Sequence, residues 1–265
     1  MIPKVIHYCW FGGNPLPDSA QKCIESWKKY CPDYEIRQWD ENNFDIAACD
    51  YCREAYEAKK WAFVSDYARF RILQQHGGIY LDTDVELLKN LDDVIAEGAY
   101  MGIEKHSLDT YVNPGLGFAA PAGDQIITDI VDYYRSIHFL KDGEPDTATT
   151  VCHHVTKLLK AYGFVNENKL QKLNGLTVYP SDYFCPQNFM SGELEITEHT
   201  YSIHRYDGSW YTPVERYSHE LKRKLSKNLP DRLAGQISHF VAQWKYNGLR
   251  SAVRRTWKRL REKLN

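Results

Sequence analysis

Ser65-Asp66-Tyr67-Ala68-Arg69, followed after seven intervening residues by Gly77-Gly78-Ile79-Tyr80-Leu81-Asp82-Thr83-Asp84, is the stretch from which the fold can be read. Apolar residues at Val64, Ala68 and Ile72 recur at helical spacing and predict a helix over residues 61–75. Asp66 and Arg69 then stand three apart and share a face of that helix. Gly77-Gly78 suits the helix end, where a positive φ is needed, and Ile79-Tyr80-Leu81 reads as a short buried strand. If strand geometry persists through Asp84, the side chains of Asp82 and Asp84 project to one side. Two carboxylates there form a hard-oxygen site for Mn²⁺ or Mg²⁺, which can bridge to a diphosphate. An isolated Asp-x-Asp is more often a solvated turn. Here it closes an apolar strand behind a glycine stop, and ligands of open α/β sheets bind at the carboxyl ends of strands.

The flanking sequence supports the same layers. Residues 4–10 (KVIHYCW) read as a first strand, ended by Phe11-Gly12-Gly13-Asn14-Pro15. Asp18 or Ser19 can cap a helix to Tyr30 that turns Ile24 and Trp27 inward. Residues 34–39 alternate as a second strand, and a helix follows over 51–59. Further strands are expected at 99–103, 116–120, 176–179 and 200–204, and helices at 124–137 and 149–162. Strands alternating with helices predict an α/β layer fold. With no internal repeat and no Gly/Ser linker, the parse is a catalytic domain over 1–212 and a helical tail over 213–265.

A chain of 265 residues, 43% hydrophobic, can bury a proper core and is not disordered. No apolar run reaches the ~18 residues of a membrane span, and the strand-like N-terminus leaves no room for a signal peptide. Seven cysteines at irregular spacing fit free thiols in a reducing, cytoplasmic setting. Residues 214–265 carry 14 Lys and Arg against 4 Asp and Glu; the remainder carries 19 against 31. An acidic body with a basic tail argues against generic nucleic-acid binding.

The run from Trp61 to Asp84 resembles the sugar-binding region of glycosyltransferases that carry an Asp-x-Asp motif, the group of the initiating α-1,6-mannosyltransferases and capsule-type transferases. The opening I-P-K-V-I-H-Y-C-W-F-G-G and the H-x5-W from His204 to Trp210 match the same group, so the likeness spans about residues 2–210. It implies a GT-A type, Rossmann-like nucleotide-sugar-binding fold, here with a C-terminal helical extension, and transfer from a nucleotide sugar with retention of configuration. Carried over residue by residue, it implies that Asp82 and Asp84 hold Mn²⁺ or Mg²⁺ and the donor diphosphate, with His204 approaching from the C-terminal side. Asp66 and Arg69, beside Ser65, correspond to the pair that orients the donor sugar. Trp10 and Tyr80 fall on the nucleotide side, Asn113, Gly115 and Gly117 in a loop facing the sugar, and Ser209-Trp210 in a closing loop. Where many relatives have Gly-Pro, this chain has D-T-A-T-T at 146–150, so the acceptor side departs from the pattern.

These residue types suit the chemistry. Negative charge builds on the diphosphate as the glycosidic bond breaks, and a bound cation stabilises it. Arg69 could face the phosphates or fix Asp66 by an ion pair; a carboxylate that must hydrogen-bond a sugar hydroxyl needs holding, which favours the pair. No residue stands out as a nucleophile, so front-side substitution is the expectation that the resemblance implies. The partners expected are a nucleoside-diphosphate sugar, UDP-linked, and a glycan or lipid-linked glycan acceptor. A metal-dependent phosphohydrolase or nucleotidyl transferase, or a noncatalytic sugar-nucleotide module, are the competing readings; no Walker or Gly-x-Gly-x-x-Gly loop is present. Cys49-x-x-Cys52 lacks a second zinc pair, and Cys152-His153-His154 would diverge on a helix. From Phe240 on, Val241, Trp244, Leu249, Val253, Trp257, Leu260 and Leu264 line one face of an expected amphipathic helix, with Arg250, Arg254, Lys258 and Arg261 on another. It could seat on an anionic inner membrane face or pack on the protein.

Overall fold

A computed structural model describes residues 1–105, 110–189, 191–208 and 212–254. They fall into two compact units: residues 1–187 with 194–207, and residues 188–193 with the chain from Gly208 on. In chain order the first unit contains β1 (Val5–Cys9), α1 (Asp18–Tyr30), β2 (Glu35–Trp39), α2 (Asp50–Glu57), α3 (Trp61–His76), β3 (Gly78–Tyr80) and β4 (Val85–Leu87). Then come α4 (Asp92–Ala96), β5 (Ala99–Lys105), β6 (Thr110–Val112), β7 (Phe118–Ala120), α5 (Gln125–Arg135) and the hairpin β8 (Leu140–Lys141) and β9 (Glu144–Pro145). It closes with α6 (Val151–Lys160), β10 (Gln171–Leu173), β11 (Leu176–Tyr179), α7 (Ser181–Phe184) and β12 (Ser202–His204). The second unit holds α8 (Pro213–Leu225) and α9 (Asp231–Asn247).

The main sheet runs β10-β11-β5-β7-β3-β1-β2, with β6 paired to β5. Strands β2, β1, β3, β5 and β11 point one way and β7 and β10 oppose them. Strand periodicity sorts the side chains into two cores. Cys9, Tyr80, Met101 and Phe118 face the layer containing α2, α3, α5 and α6, while Tyr8, Ile79, Tyr100 and Ala119 face that of α1 and α7. A sheet covered on both faces is the α/β arrangement expected from the sequence.

Helix α3 explains why the site lies where it does. It is buried on nearly every side because it packs against α2 and α5 as well as the sheet. Gly77 (φ 63°) ends it and Gly78 (φ 106°) begins β3; a Cβ on Gly78 would stand 2.7 Å from the Val5 carbonyl. The turn folds the strand back along the helix. From His76 back to Asp66 is ~15 Å of helix, and from Gly78 forward to Asp82 is ~13 Å of strand. The two therefore meet at the carboxyl edge of the sheet.

Several expectations need correction. Pro17 occupies the cap of α1 with no side-chain bond, and Asp18 is the first helical residue. The residues expected as one strand over 116–120 divide into a 3₁₀ turn, Pro114–Leu116, and β7. The expected tail helix is interrupted: Gly248 (φ 78°) closes α9, and helical residues resume at Leu249. A positive φ ends the α9 hydrogen-bond ladder, so helical spacing across it does not define one face. Trp257, Lys258, Leu260, Arg261 and Leu264 lie outside the described residues.

Candidate active site

Leu81 N–H makes the last ladder bond, to the His7 carbonyl at 3.0 Å, and the chain then turns, with Val85 N–H donating to the Asp82 carbonyl at 3.0 Å. Asp82-Thr83-Asp84 is thus a turn beyond β3 and not, as expected, its continuation. The carboxylates converge by another route. Strand β12 pairs antiparallel with β4 in a register that sets His204 opposite Val85, next to Asp84. A carboxylate oxygen from each of Asp82 and Asp84 and one His204 ring nitrogen lie within 4.8 Å of one another. Two carboxylate oxygens and an imidazole suit a divalent cation such as Mn²⁺ or Mg²⁺, whose ligands sit ~2 Å from the ion. His204 Nδ1 is buried without a hydrogen-bond partner among the described residues, and His204 Nε2 is 3.3 Å from Asp84 Oδ1. Burial alone would lower the His204 pKa, but the Asp84 carboxylate carries it up to about 9. Asp84 in turn is held below the usual carboxylate range: burial opposes this, and the His204 charge and bond outweigh it.

Arg69 does more than hold Asp66. Its Nη2 lies 3.2 Å from Asp66 Oδ1 and 3.2 Å from Asp82 Oδ1, and its Nε donates to the Ser65 carbonyl at 3.0 Å. One buried guanidinium therefore joins the helix carboxylate to the turn carboxylate. Burial pushes Asp66 up to about 7, with Arg69 opposing. Burial raises Asp82 as well, again against Arg69.

The remaining expected residues divide. Tyr80 is 1% exposed; its hydroxyl donates to Asp82 Oδ1 at 3.0 Å and its ring lies under the Arg69 guanidinium. Its alternation in β3 points it into the α3 layer. Ser65 Oγ is spent on the Trp61 carbonyl at 3.1 Å. Trp10 follows β1 at the same sheet edge, half-buried, with Nε1 donating to the Asn14 carbonyl. Asn113 is buried, its Oδ1 accepting from Gly115 N–H at 2.7 Å. A Cβ on Gly115 would stand 2.4 Å from Asp82 Oδ2, so this turn presses directly on the carboxylate pair. Gly117 adopts φ 112°. Ser209 and Trp210 lie outside the described residues.

Sequence reasoning missed Glu104, a buried carboxylate at the carboxyl end of β5; Tyr206, which the sequence offers only as one of an aromatic stretch that could stack on sugars or pack, has its ring 4.2 Å from that of His204. An acidic residue closing the apolar run A-Y-M-G-I carried the same signal as Asp82. The other polar clusters are structural. Cys49 Sγ caps α2, the Cys52 thiol is pushed well up by burial, and all seven cysteines are free. His153 caps α6 with Thr150, and His154 pairs with Tyr133.

Residues 17–101 match the family described as the glycosyltransferase sugar-binding region containing the DXD motif. The chain is 28% identical over 199 residues to an uncharacterized glycosyltransferase of Acanthamoeba polyphaga mimivirus, covering 71% of this chain and 74% of that one. It is 31% identical over 144 residues to inositol phosphoceramide mannosyltransferase 3 of Schizosaccharomyces pombe, covering 52% of this chain and 40% of that one. Among solved structures, the PaToxG glycosyltransferase aligns over 60% of this chain and 69% of its own at 17% identity and a TM-score of 0.47. A glycosyltransferase involved in glycosylation of the major capsid of PBCV-1 aligns over 81% and 97% at 13% identity and a TM-score of 0.43. With the DXD carboxylates, their histidine and the Asp66–Arg69 pair at one sheet edge, the chain carries the DXD sugar-binding region and is a glycosyltransferase.

Proposed function

We propose that the enzyme transfers a hexose from a nucleoside diphosphate, UDP-linked, to a glycan or lipid-linked glycan, with retention of configuration and with Mn²⁺ or Mg²⁺. The observation that carries this reading is the Asp82, Asp84 and His204 cluster joined through Arg69 to Asp66. A divalent cation held by the cluster supplies charge stabilisation to the departing diphosphate. Asp66 accepts hydrogen bonds from donor-sugar hydroxyls, and Arg69 fixes its position. Trp10 offers its half-buried ring to the base. Retention follows from front-side substitution in which the leaving phosphate takes the acceptor proton; both oxygens of Glu104, the nearby buried carboxylate, are engaged by Asn113 and Tyr206. The test is incubation with Mn²⁺ and a panel of sugar nucleotides, following release of the nucleoside diphosphate. Release from none of them, or release that persists in EDTA, overturns the reading.

Base stacking on an aromatic ring contributes ~1–3 kcal/mol by alanine substitution in nucleic-acid binders. Trp10→Ala should therefore weaken nucleotide binding by about tenfold or more, measured by calorimetry. Unchanged affinity in a folded variant returns Trp10 to the core.

On this reading the basic tail is a membrane-seating element. Trp244, Leu249 and Val253 are 54%, 53% and 41% exposed, close in sequence to Lys245, Arg250 and Arg254. No helix among the described residues is long and apolar enough to cross a membrane. Surface seating has a motive in a lipid-linked acceptor, the class named for the S. pombe relative. Each Lys or Arg near an anionic surface contributes ~1 kcal/mol. Replacing Trp244, Leu249 and Val253 together by Ser should abolish co-sedimentation with anionic liposomes at low salt and spare transfer to a soluble acceptor. A wild-type protein that ignores those liposomes overturns the membrane role.

A further inference from the structure

Glu104 takes no part in the chemistry above, yet it is 5% exposed and lies at the sheet edge that carries the site. One oxygen, Oε2, accepts from Asn113 Nδ2 at 2.6 Å, with Cys152 Sγ at 3.9 Å. The other, Oε1, accepts from the Tyr206 hydroxyl at 2.9 Å. Tyr206 O in turn lies 2.9 Å from Cys185 Sγ, and that thiol stays protonated because burial pushes its pKa well up. Cys185 is therefore the donor in that contact, which leaves the tyrosine proton for Glu104.

Both partners lead back to the cation cluster from opposite sides. Asn113, gripped through its nitrogen, uses its Oδ1 to hold Gly115 N–H, and the Gly115 Cα abuts Asp82 Oδ2. Tyr206, gripped through its hydroxyl, sets its ring beside that of His204, centroids 4.2 Å apart and planes tilted by 54°. Its backbone sits at φ 55°, a region that a residue with a bulky side chain rarely adopts. The β12–β4 ladder carries Arg205 N–H to the Asp84 carbonyl at 2.9 Å, and the turn at Tyr206 then brings Asp207 N–H to Asp84 Oδ2 at 3.1 Å. A rare backbone state persists where its surroundings over-determine it, and the bond to Glu104 is one of the determinants.

We propose that Glu104 is a positioning residue that ties the Asn113–Gly117 turn to the His204–Asp207 segment, and thereby holds Asp82, Asp84 and His204 in a single cation-binding arrangement. The proposal rests on the metal-dependent reading of the site. Its mechanism is hydrogen bonding, which separates two substitutions. Glu104→Gln keeps both ties: its oxygen accepts from Asn113, its amide donates to Tyr206 O, and the tyrosine proton swings to Cys185 Sγ. Glu104→Leu keeps the bulk and loses both. Tyr206→Phe removes a single oxygen; it cuts the C-terminal tie and the Cys185 contact and leaves the Asn113 tie in place.

The experiment is a Mn²⁺ titration of the full chain by electron paramagnetic resonance without donor, with thermal unfolding followed in parallel. Substitutions behind metal ligands typically cost 10–100-fold in metal affinity, so Tyr206→Phe and Glu104→Leu should raise the Mn²⁺ dissociation constant by about tenfold or more. Glu104→Gln should restore it to within about threefold of wild type, since the pairwise ties survive. Should Glu104→Leu fail to fold, Tyr206→Phe carries the test. A folded Tyr206→Phe that binds Mn²⁺ as wild type does overturns the positioning role and leaves the metal-dependent reading standing. Glu104→Gln as weak as Glu104→Leu overturns the hydrogen-bond mechanism. A wild-type protein that takes up no Mn²⁺ removes the reading on which the proposal rests.

Discussion

Asp82→Asn and Asp84→Asn are each expected to reduce transfer by about 10³-fold or more, because the cation's stabilisation of the leaving diphosphate amounts to several kcal/mol. Asparagine is the sharper probe at position 82. Alanine there would strip Tyr80 of its acceptor and Arg69 of one of its two carboxylates, mixing a folding defect with the chemical one. At position 84 the amide keeps an oxygen for Asp207 N–H and loses the charge that faces His204. Turnover is measured at saturating donor and fixed Mn²⁺, with circular dichroism to establish the fold. Near wild-type turnover in either variant would remove these carboxylates from the reaction.

Asp66→Asn is the second large effect, and it separates sugar from nucleotide. If Asp66 holds the hexose, the substitution should lower transfer by roughly 10²-fold or more, as misplaced reacting groups do. Binding of UDP with Mn²⁺, read by calorimetry, should stay near normal. A loss of UDP affinity as large as the loss of rate would give Asp66 a different role. The same variant makes a stability prediction. Asp66 has a folded pKa of about 7, raised by burial above its ordinary 3.8. Between these values the folded chain holds a proton that the unfolded chain has released, so the stability from that proton declines as pH rises and is gone above about 7. Asparagine has no such titration. The melting temperature of Asp66→Asn relative to wild type should therefore climb from pH 5 to pH 8. A difference that is flat or falls with pH would mean that the Arg69 pair outweighs desolvation.

The α3–β3 turn was legible because three independent signals agreed: helical spacing up to Ile72, a double glycine, and an apolar strand running into acid. Asp66, Arg69, Asp82 and Asp84 come together from that stretch alone. His204 is different. Its place depends on β4, three residues of V-E-L that no periodicity announces, and on the register with which β12 finds them. For Tyr80, a motif position carries no information about which face of the strand the side chain occupies; pairing with β1 and β7 decides that. The bridging role of Arg69 was half visible. Its i,i+3 partner follows from helix geometry, while its second partner requires the turn after β3. In the tail Gly248 was in plain view, but spacing of Trp244, Leu249 and Val253 was extended across it.

The close approach at Gly115 constrains how such an enzyme can diversify. No side chain fits there unless the Asp82 carboxylate yields, since a Cβ would sit 2.4 Å from its Oδ2 and 3.0 Å from Asn113 Oδ1. Asp82 has little slack to give, being tied through Oδ1 to Tyr80 and Arg69. If this turn faces the donor, as the family resemblance implies, a lineage exploring new donors cannot enlarge position 115 without a compensating change at the carboxylate behind it. Drift at the two positions is coupled by space alone, and variation in sugar preference has to be sought at neighbours that do not share that wall.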